Sequence, residues 1–184
     1  MIAGVDEVGR GALAGPVTVA AVVLDPRWPV LGLDDSKRLT PSRRCQLAVV
    51  IRVRALAWAI AHRSAEEIDR INILEATREA MVEAVQRLSP APHLVVSDAV
   101  ALPDLGIPNR PEIRADARYL CVAAASILAK VARDEIMVAF SAEFPAYGWG
   151  ANKGYPTRVH LAALRRFGAC RLHRRSFAPV RVLA

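Results

Sequence analysis

Met1-Ile2-Ala3-Gly4-Val5-Asp6-Glu7-Val8-Gly9-Arg10-Gly11 opens the chain, an apolar run ending in two adjacent carboxylates and a glycine-flanked arginine. Met1 to Asp6 reads as a strand. Successive side chains of a strand point to opposite faces, so Asp6 and Glu7 are expected to converge on one site only where the chain leaves regular pairing. The glycines that follow allow that departure and let backbone amides approach a ligand closely, because no Cβ intervenes. Alone, the acidic pair reads equally as the start of a polar turn.

Working outward, Pro16 to Leu24 (PVTVAAVVL) is a second strand, its β-branched and alanine content fitting burial on both faces. Thr40-Pro41 caps and opens a helix to about Val53, and Ala55 to Ala61 is a third strand. Ser64-Ala65-Glu66-Glu67 forms a capping box for a short helix, and Asn72 starts a longer one to about Leu88. His93 to Asp98 is a fourth strand, and a short fifth lies near Ile113. Tyr119 to Phe144 carries the strongest helical pattern, with Ala123-Ala124-Ala125 suited to close packing on a sheet. A Gly, Pro and Trp-containing loop leads to a helix capped by Thr157 and stopped at Gly168. The order of elements predicts an α/β fold, a mixed five-stranded sheet flanked by helices.

The 184 residues suit one domain, 1–184, and 53% of them are hydrophobic. No apolar stretch is long enough to span a bilayer and no signal segment precedes the first strand, so a cytoplasmic protein without membrane contact is expected. Cys45, Cys121 and Cys170 are widely spaced, which supports neither disulfides nor a zinc site and predicts buried or half-buried free thiols. Net charge is +7, unevenly distributed. Residues 144–184 hold eight of the 25 basic groups and none of the 18 acidic ones, leaving 17 against 18 before them. This basic C-terminal helical segment, with Arg174 and Arg175 in it, is expected to face a polyanion.

Asp98 ends its strand as Asp6 ends the first, and two such strands side by side would present both carboxylates at one sheet edge. Asp116 follows after the fifth strand and could close the cluster. Four carboxylates together repel unless cations neutralise them, and oxygen-only ligation suits Mg²⁺ or Mn²⁺. Two such ions about 4 Å apart would serve an in-line phosphoryl displacement. As isolated residues, Asp98 also reads as a turn cap and Asp116 as a helix cap.

Taken in order, the motifs resemble ribonuclease HII, the type 2 ribonuclease H family. They are Asp6-Glu7-x-Gly9-Arg10-Gly11; Asp35-Ser36-Lys37-x-Leu39; Asn72-Ile73-Leu74-x-Ala76-Thr77 with Ala80-Met81; Ala124-Ala125-Ser126-Ile127-x-Ala129-Lys130-Val131-x-Arg133-Asp134; Gly154-Tyr155-Pro156-Thr157-x-x-His160; and His173-Arg174-Arg175-Ser176-Phe177-x-Pro179-Val180. The resemblance implies a ribonuclease H-like fold and a two-metal endonuclease. Such an enzyme cuts RNA in RNA/DNA hybrids and 5′ of single ribonucleotides embedded in duplex DNA, leaving 3′-hydroxyl and 5′-phosphate ends, a role in DNA replication and repair. It implies Asp6, Glu7, Asp98 and Asp116 as catalytic metal ligands, the Gly9-Arg10-Gly11 backbone as reader of the ribose 2′-OH, and Tyr155 against the neighbouring sugar. Ser126 and Lys130, four apart on one helix face, and Lys37 and Asn72 are expected substrate contacts. A sliding clamp is a candidate partner and a monomer the default.

The chain departs from the family pattern at Asp98-Ala99, where Asp-Gly is usual, and at Arg114-Ala115-Asp116, where Lys-Gly-Asp is usual. It also stops soon after the last motif, so binding supplied by a further C-terminal helix is expected to be missing. Asp134 is expected to be structural, paired with Arg133 or Lys130. His160 and His173 have no neighbouring Cys or second His in sequence, and Trp28, Trp58 and Trp149 form no stacking ladder. Three rivals stand beside this reading. Ribonuclease HIII typically carries Gly-Lys-Gly; a dinucleotide loop would need a helix after Gly15; a non-catalytic nucleic-acid-binding module would leave the acids unexplained.

Overall fold

The computed structural model describes every residue except Asp35, Lys37, Pro103, Asp104 and Ala184. The expected contact Lys37 therefore lies outside the described residues. Five strands form one mixed sheet in the order β3-β2-β1-β4-β5: β1 (Ile2–Val8), β2 (Val17–Leu24), β3 (Ala55–Arg63), β4 (Leu94–Asp98) and β5 (Asn109–Glu112). β1 to β3 make an antiparallel meander, while β4 joins β1 in parallel and β5 continues in parallel.

Seven α-helices and two single 3₁₀ turns, Ala115–Ala117 and Pro145–Tyr147, complete the described elements; the helices are α1 (Pro41–Arg54), α2 (Ala65–Ile71), α3 (Ile73–Gln86), α4 (Leu120–Glu143), α5 (Trp149–Asn152), α6 (Arg158–Phe167) and α7 (Ala178–Leu183). Their ends follow local chemistry. Thr40 Oγ1 accepts from the Arg43 amide with Pro41 at the first position. Ser64 and Glu67 satisfy each other's backbone donors in a capping box, and Thr157 caps α6. The fifth strand lies just before Ile113, near where it is expected, and α7 falls within the C-terminal segment expected to be helical.

Both sheet faces are buried, as the unbroken apolar run of β2 predicts. Ala3, Val5, Val19, Ala21 and Val95 pack with Ala80, Met81 and Ala84 of α3 on one side. On the other, Ala20 and Val22 meet Leu47 and Ile51 of α1 and Ala124 to Ala125 and Ile127 to Ala129 of α4. One glycine decides how close α4 comes: a Cβ on Gly4 would stand 2.2 Å from the Cys121 carbonyl carbon and the Val122 nitrogen. The helix backbone lies directly on β1, which is how the alanine stretch finds its use.

The C-terminal segment is woven into the molecule. Arg174 N donates to Leu13 O at 2.8 Å, Gly15 N to Leu172 O at 2.9 Å, and Ala14 bridges His173. Asp69 accepts from the amides of Arg175 and Ser176 at 2.8 and 2.9 Å. This corrects the reading of a basic stretch turned wholly to a polyanion: Arg174 is fully buried and Arg171 pairs with Glu143 at 2.7 Å, while Arg158, Arg165, Arg166, Arg175 and Arg181 stay exposed. Cys45, expected to be at least half-buried, is exposed; all three cysteines are free. No described helix is long and apolar enough to cross a membrane.

Beneath this segment, His160 Nε2 and His173 Nε2 lie 3.1 Å apart among Trp149, Tyr147 and Cys170. Desolvation, then the neighbouring imidazole, pushes the His173 pKa down to about 4. A base whose folded-state pKa falls below 6.5 leaves the unfolded chain binding more protons between those values, so the stability it supports is present above pH 6.5 and lost on acidification toward pH 4. His173→Gln is expected to flatten the fall in unfolding free energy over that range, by on the order of 2 kcal/mol, in denaturant titrations at successive pH values.

Candidate active site

Asp6 and Glu7 do not leave regular pairing as expected. Both stay in antiparallel register, opposite Ala20 and Val19, and the ladder runs on to Val8 and Thr18. What ends is the other edge: the parallel pairing with β4 stops at Val5 and Ser97. Asp6 and Asp98, one residue beyond, then share the α4 side of the sheet, while Glu7 alternates away. Glu7 is drawn back toward the edge by Arg10, whose Nη1 donates to Oε1 at 3.3 Å.

The carboxylates are unequally held. Asp6, 6% exposed, accepts from the Glu7 amide at 2.7 Å, and the Ser126 hydroxyl acts to lower its pKa. Ser126 Oγ lies 2.9 Å from Ser36 Oγ, which ties α4 to the loop carrying Ser36. Asp98 Oδ1 accepts from the Ala115 amide at 2.9 Å, which seats the turn Ala115–Ala117 against β4, and Asp116 Oδ1 accepts from the Ala117 amide at 3.0 Å. Glu7 Oε2 is buried without a hydrogen-bond partner.

Burial, then the neighbouring charge of Glu7 and more weakly Asp98, raises the Asp6 pKa well above the usual carboxylate range. Burial also raises Glu7, against the lowering effect of Arg10. Asp6 senses the charges of Glu7 and Asp98, Glu7 that of Asp98, and Asp6 and Glu7 resist ionising in the bare protein. Among the described residues no group of three or more His, Cys, Asp or Glu side chains is placed to hold a metal ion. The chemistry of the candidate donors nevertheless suits a hard divalent cation: all are carboxylate oxygens, and the buried Glu7 oxygen without a partner is what such an ion would satisfy.

Behind the Gly9-Arg10-Gly11 turn stand two buried arginines. Arg133 donates to Pro16 O, Lys153 O and Ala14 O at 2.9, 2.8 and 3.1 Å. Arg174 donates twice to Gly15 O, at 3.0 and 2.9 Å, and once to Arg10 O at 2.9 Å. Gly9, at φ +94°, is pressed against Arg133, whose Nε would stand 2.1 Å from an added Cβ. Gly11 meets no such obstacle and is exposed. Tyr155 completes this corner, its ring 5.4 Å from the Arg133 guanidinium.

The other expected contacts are placed variously. Asn72 is exposed at φ +70°, and its Oδ1 caps α3 by accepting from the Leu74 and Glu75 amides. Lys130 pairs with Asp134 at 2.7 Å, as foreseen for Asp134. Ser126 is buried beneath Asp6 rather than on the surface. Sequence reasoning passed over Arg133, Arg174 and Ser36 as parts of the site. Their only signal was membership in the quoted motifs, since nothing local distinguishes a buried arginine from a solvated one.

A mixed five-stranded sheet with acids gathered at the end of its central strands defines a ribonuclease H-type nuclease. A family profile described as Ribonuclease HII matches residues 3–180. The Ribonuclease HII of Moorella thermoacetica is 57% identical over 176 residues, covering 96% of this chain and 85% of its own. The ribonuclease H2 of Pyrococcus horikoshii superposes with a TM-score of 0.84 at 28% identity, over 99% of this chain and 96% of that one. The RNase HII of Archaeoglobus fulgidus, solved in a PCNA:RNase HII complex, gives 0.81 at 30% identity over 95% and 92%. The chain belongs to the ribonuclease HII family, and is an endonuclease acting on the RNA of RNA/DNA hybrids.

Two stability measurements test this corner. Ala99 stands at φ +53°, a left-handed conformation that costs a Cβ-bearing residue about 1 kcal/mol, so the departure from Asp-Gly is a strained one. Ala99→Gly is expected to raise the melting temperature. Asp6→Asn removes a carboxylate held above its ordinary pKa, whose charged form burdens the fold at neutral pH. In EDTA its melting temperature is expected to rise above wild type.

Proposed function

We propose that this chain hydrolyses the phosphodiester on the 5′ side of a ribonucleotide, in hybrids and at single ribonucleotides embedded in duplex DNA, with two divalent cations, Mg²⁺ or Mn²⁺. The products are 3′-hydroxyl and 5′-phosphate ends, and the cellular task is ribonucleotide removal in replication and repair. The observation that carries the reading is the crowding of Asp6, Glu7 and Asp98, with a buried Glu7 oxygen left without a partner.

Asp6, Glu7, Asp98 and Asp116 would hold the cations, which when bound supply water activation and charge stabilisation at the leaving oxygen. Every other element belongs to the protein. Ser126 fixes Asp6, Arg10 orients Glu7, and the Ala115 amide orients Asp98. The backbone of Gly9, Arg10 and Gly11 reads the 2′-OH, which alone separates RNA from DNA at a given sugar, and Tyr155 lies against the adjoining sugar. Lys37, Lys130 and the amide of Asn72 meet phosphates, helped by the exposed arginines of α6.

Residues 1–184 act here as one catalytic domain and one copy. A sliding clamp is the proposed partner, on the likeness to the Archaeoglobus fulgidus enzyme, and three free thiols suit a cytoplasmic setting.

Incubating a duplex containing one ribonucleotide with Mg²⁺ or Mn²⁺ is expected to give a single cut 5′ of it, abolished by EDTA. Asp98→Asn is expected to lower the rate on the order of a hundredfold. Binding without cutting, or wild-type cleavage by Asp98→Asn, would refute the assignment.

A further inference from the structure

We propose that Arg133 is a positioning residue for sugar recognition, one buried guanidinium that locks the Gly9-Arg10-Gly11 turn and the Tyr155 segment to each other. The inference rests on the reading above, in which those two segments face the ribonucleotide.

The geometry is specific to this side chain. Two of its nitrogens bind carbonyls of the segment that leads from the glycine-rich turn to β2, at Ala14 and Pro16, and a third binds Lys153 O, two residues before Tyr155. Its plane also meets the Tyr155 ring, and its Nε and Cδ fill the space a side chain on Gly9 would need. No acid is hydrogen-bonded to it among the described residues; its donors are spent on backbone. The two segments also touch directly, Leu13 N donating to Gly154 O at 2.8 Å, with Gly154 at φ +82° and its absent Cβ only 2.5 Å from Ala14 O. Arg174 reaches the turn at Arg10 and Gly15 but binds no carbonyl of the tyrosine segment. Arg133 alone among the described guanidiniums spans both halves. A fork of donors in one plane can do this and a lysine cannot, since its ammonium is a point donor on a flexible stem.

A residue that merely stabilises the fold lowers all activity together; one that sets the distance between two halves of a sugar reader alters discrimination. The measurement is kcat/KM, in the full chain, on duplexes carrying at one position either a ribonucleotide or its 2′-fluoro-2′-deoxy counterpart. For folded Arg133→Lys the preference for the 2′-hydroxyl substrate is expected to fall roughly tenfold or more, since a lost hydrogen bond is worth about that factor. In a double-mutant cycle, Arg133→Lys is expected to cost less than about threefold when added to Tyr155→Ala. Should Arg133→Lys not fold, Gly154→Ala, which forces the two segments apart while leaving Arg133 in place, is expected to lose the same preference. An unchanged preference in either folded variant, or multiplicative losses in the cycle, would overturn the inference. Failure of wild type to cut 5′ of the ribonucleotide would instead overturn the functional reading beneath it.

Discussion

Two buried arginines, hydrogen-bonded to no carboxylate among the described residues, hold this molecule's working corner in shape. Removing a guanidinium from water is costly unless its donors are satisfied, and here six donations to main-chain carbonyls satisfy Arg133 and Arg174. Desolvation and the neighbouring Arg133 charge lower the Arg174 pKa to about 9, and desolvation lowers that of Arg133. Carbonyls of Arg10, Ala14, Gly15 and Pro16 are thereby turned inward, so the conformation of the glycine-rich turn is imposed from behind. The turn's glycines serve that support as much as any ligand: Gly9 is glycine because Arg133 occupies the space of its side chain.

The acids obey an opposite logic. Where each guanidinium nitrogen of the two arginines finds a main-chain carbonyl, Glu7 keeps a buried oxygen unpartnered and Asp6 is held where it resists ionising. A site built to receive positive charge is unfavourable before it arrives, and stability surrendered there is the usual companion of function. The close seat of α4 on Gly4 brings Ser126 beneath Asp6 and, at the next turns, Lys130 and Arg133 toward the loops. One helix thus supports the acid, the proposed phosphate contact and the turn.

Much of the framework was legible. Strands β1 to β4, the caps at Thr40, Ser64, Asn72 and Thr157, and the long helix α4 follow from alternation, capping residues and apolar period, all local properties. A structural Asp134, paired with Arg133 or Lys130, was legible too; the fold selects Lys130. Less legible was how Asp6 and Glu7 come together, because the sequence does not say on which edge pairing stops. The unbroken β1–β2 ladder and the interrupted β1–β4 ladder settle that. Arg174 was read as facing a polyanion, since a basic residue in a basic stretch carries no mark of burial; only the strand-like contact of Leu172 to Arg174 with Leu13 to Gly15 puts it inside. The histidine pair was invisible for the same reason, thirteen residues separating two rings that touch.

By itself, the order of residues determined the element types, the apolar faces, the identity of the acids and the family whose motifs they match, because propensity, capping and periodicity act over a few neighbours. Tertiary structure alone decided which charges are solvated and which are buried, which carboxylate oxygen lacks a partner, and that one guanidinium meets two distant loops. Those are properties of neighbours brought together from far along the chain, and the electrostatic cost of a charge is set by the surroundings it meets there.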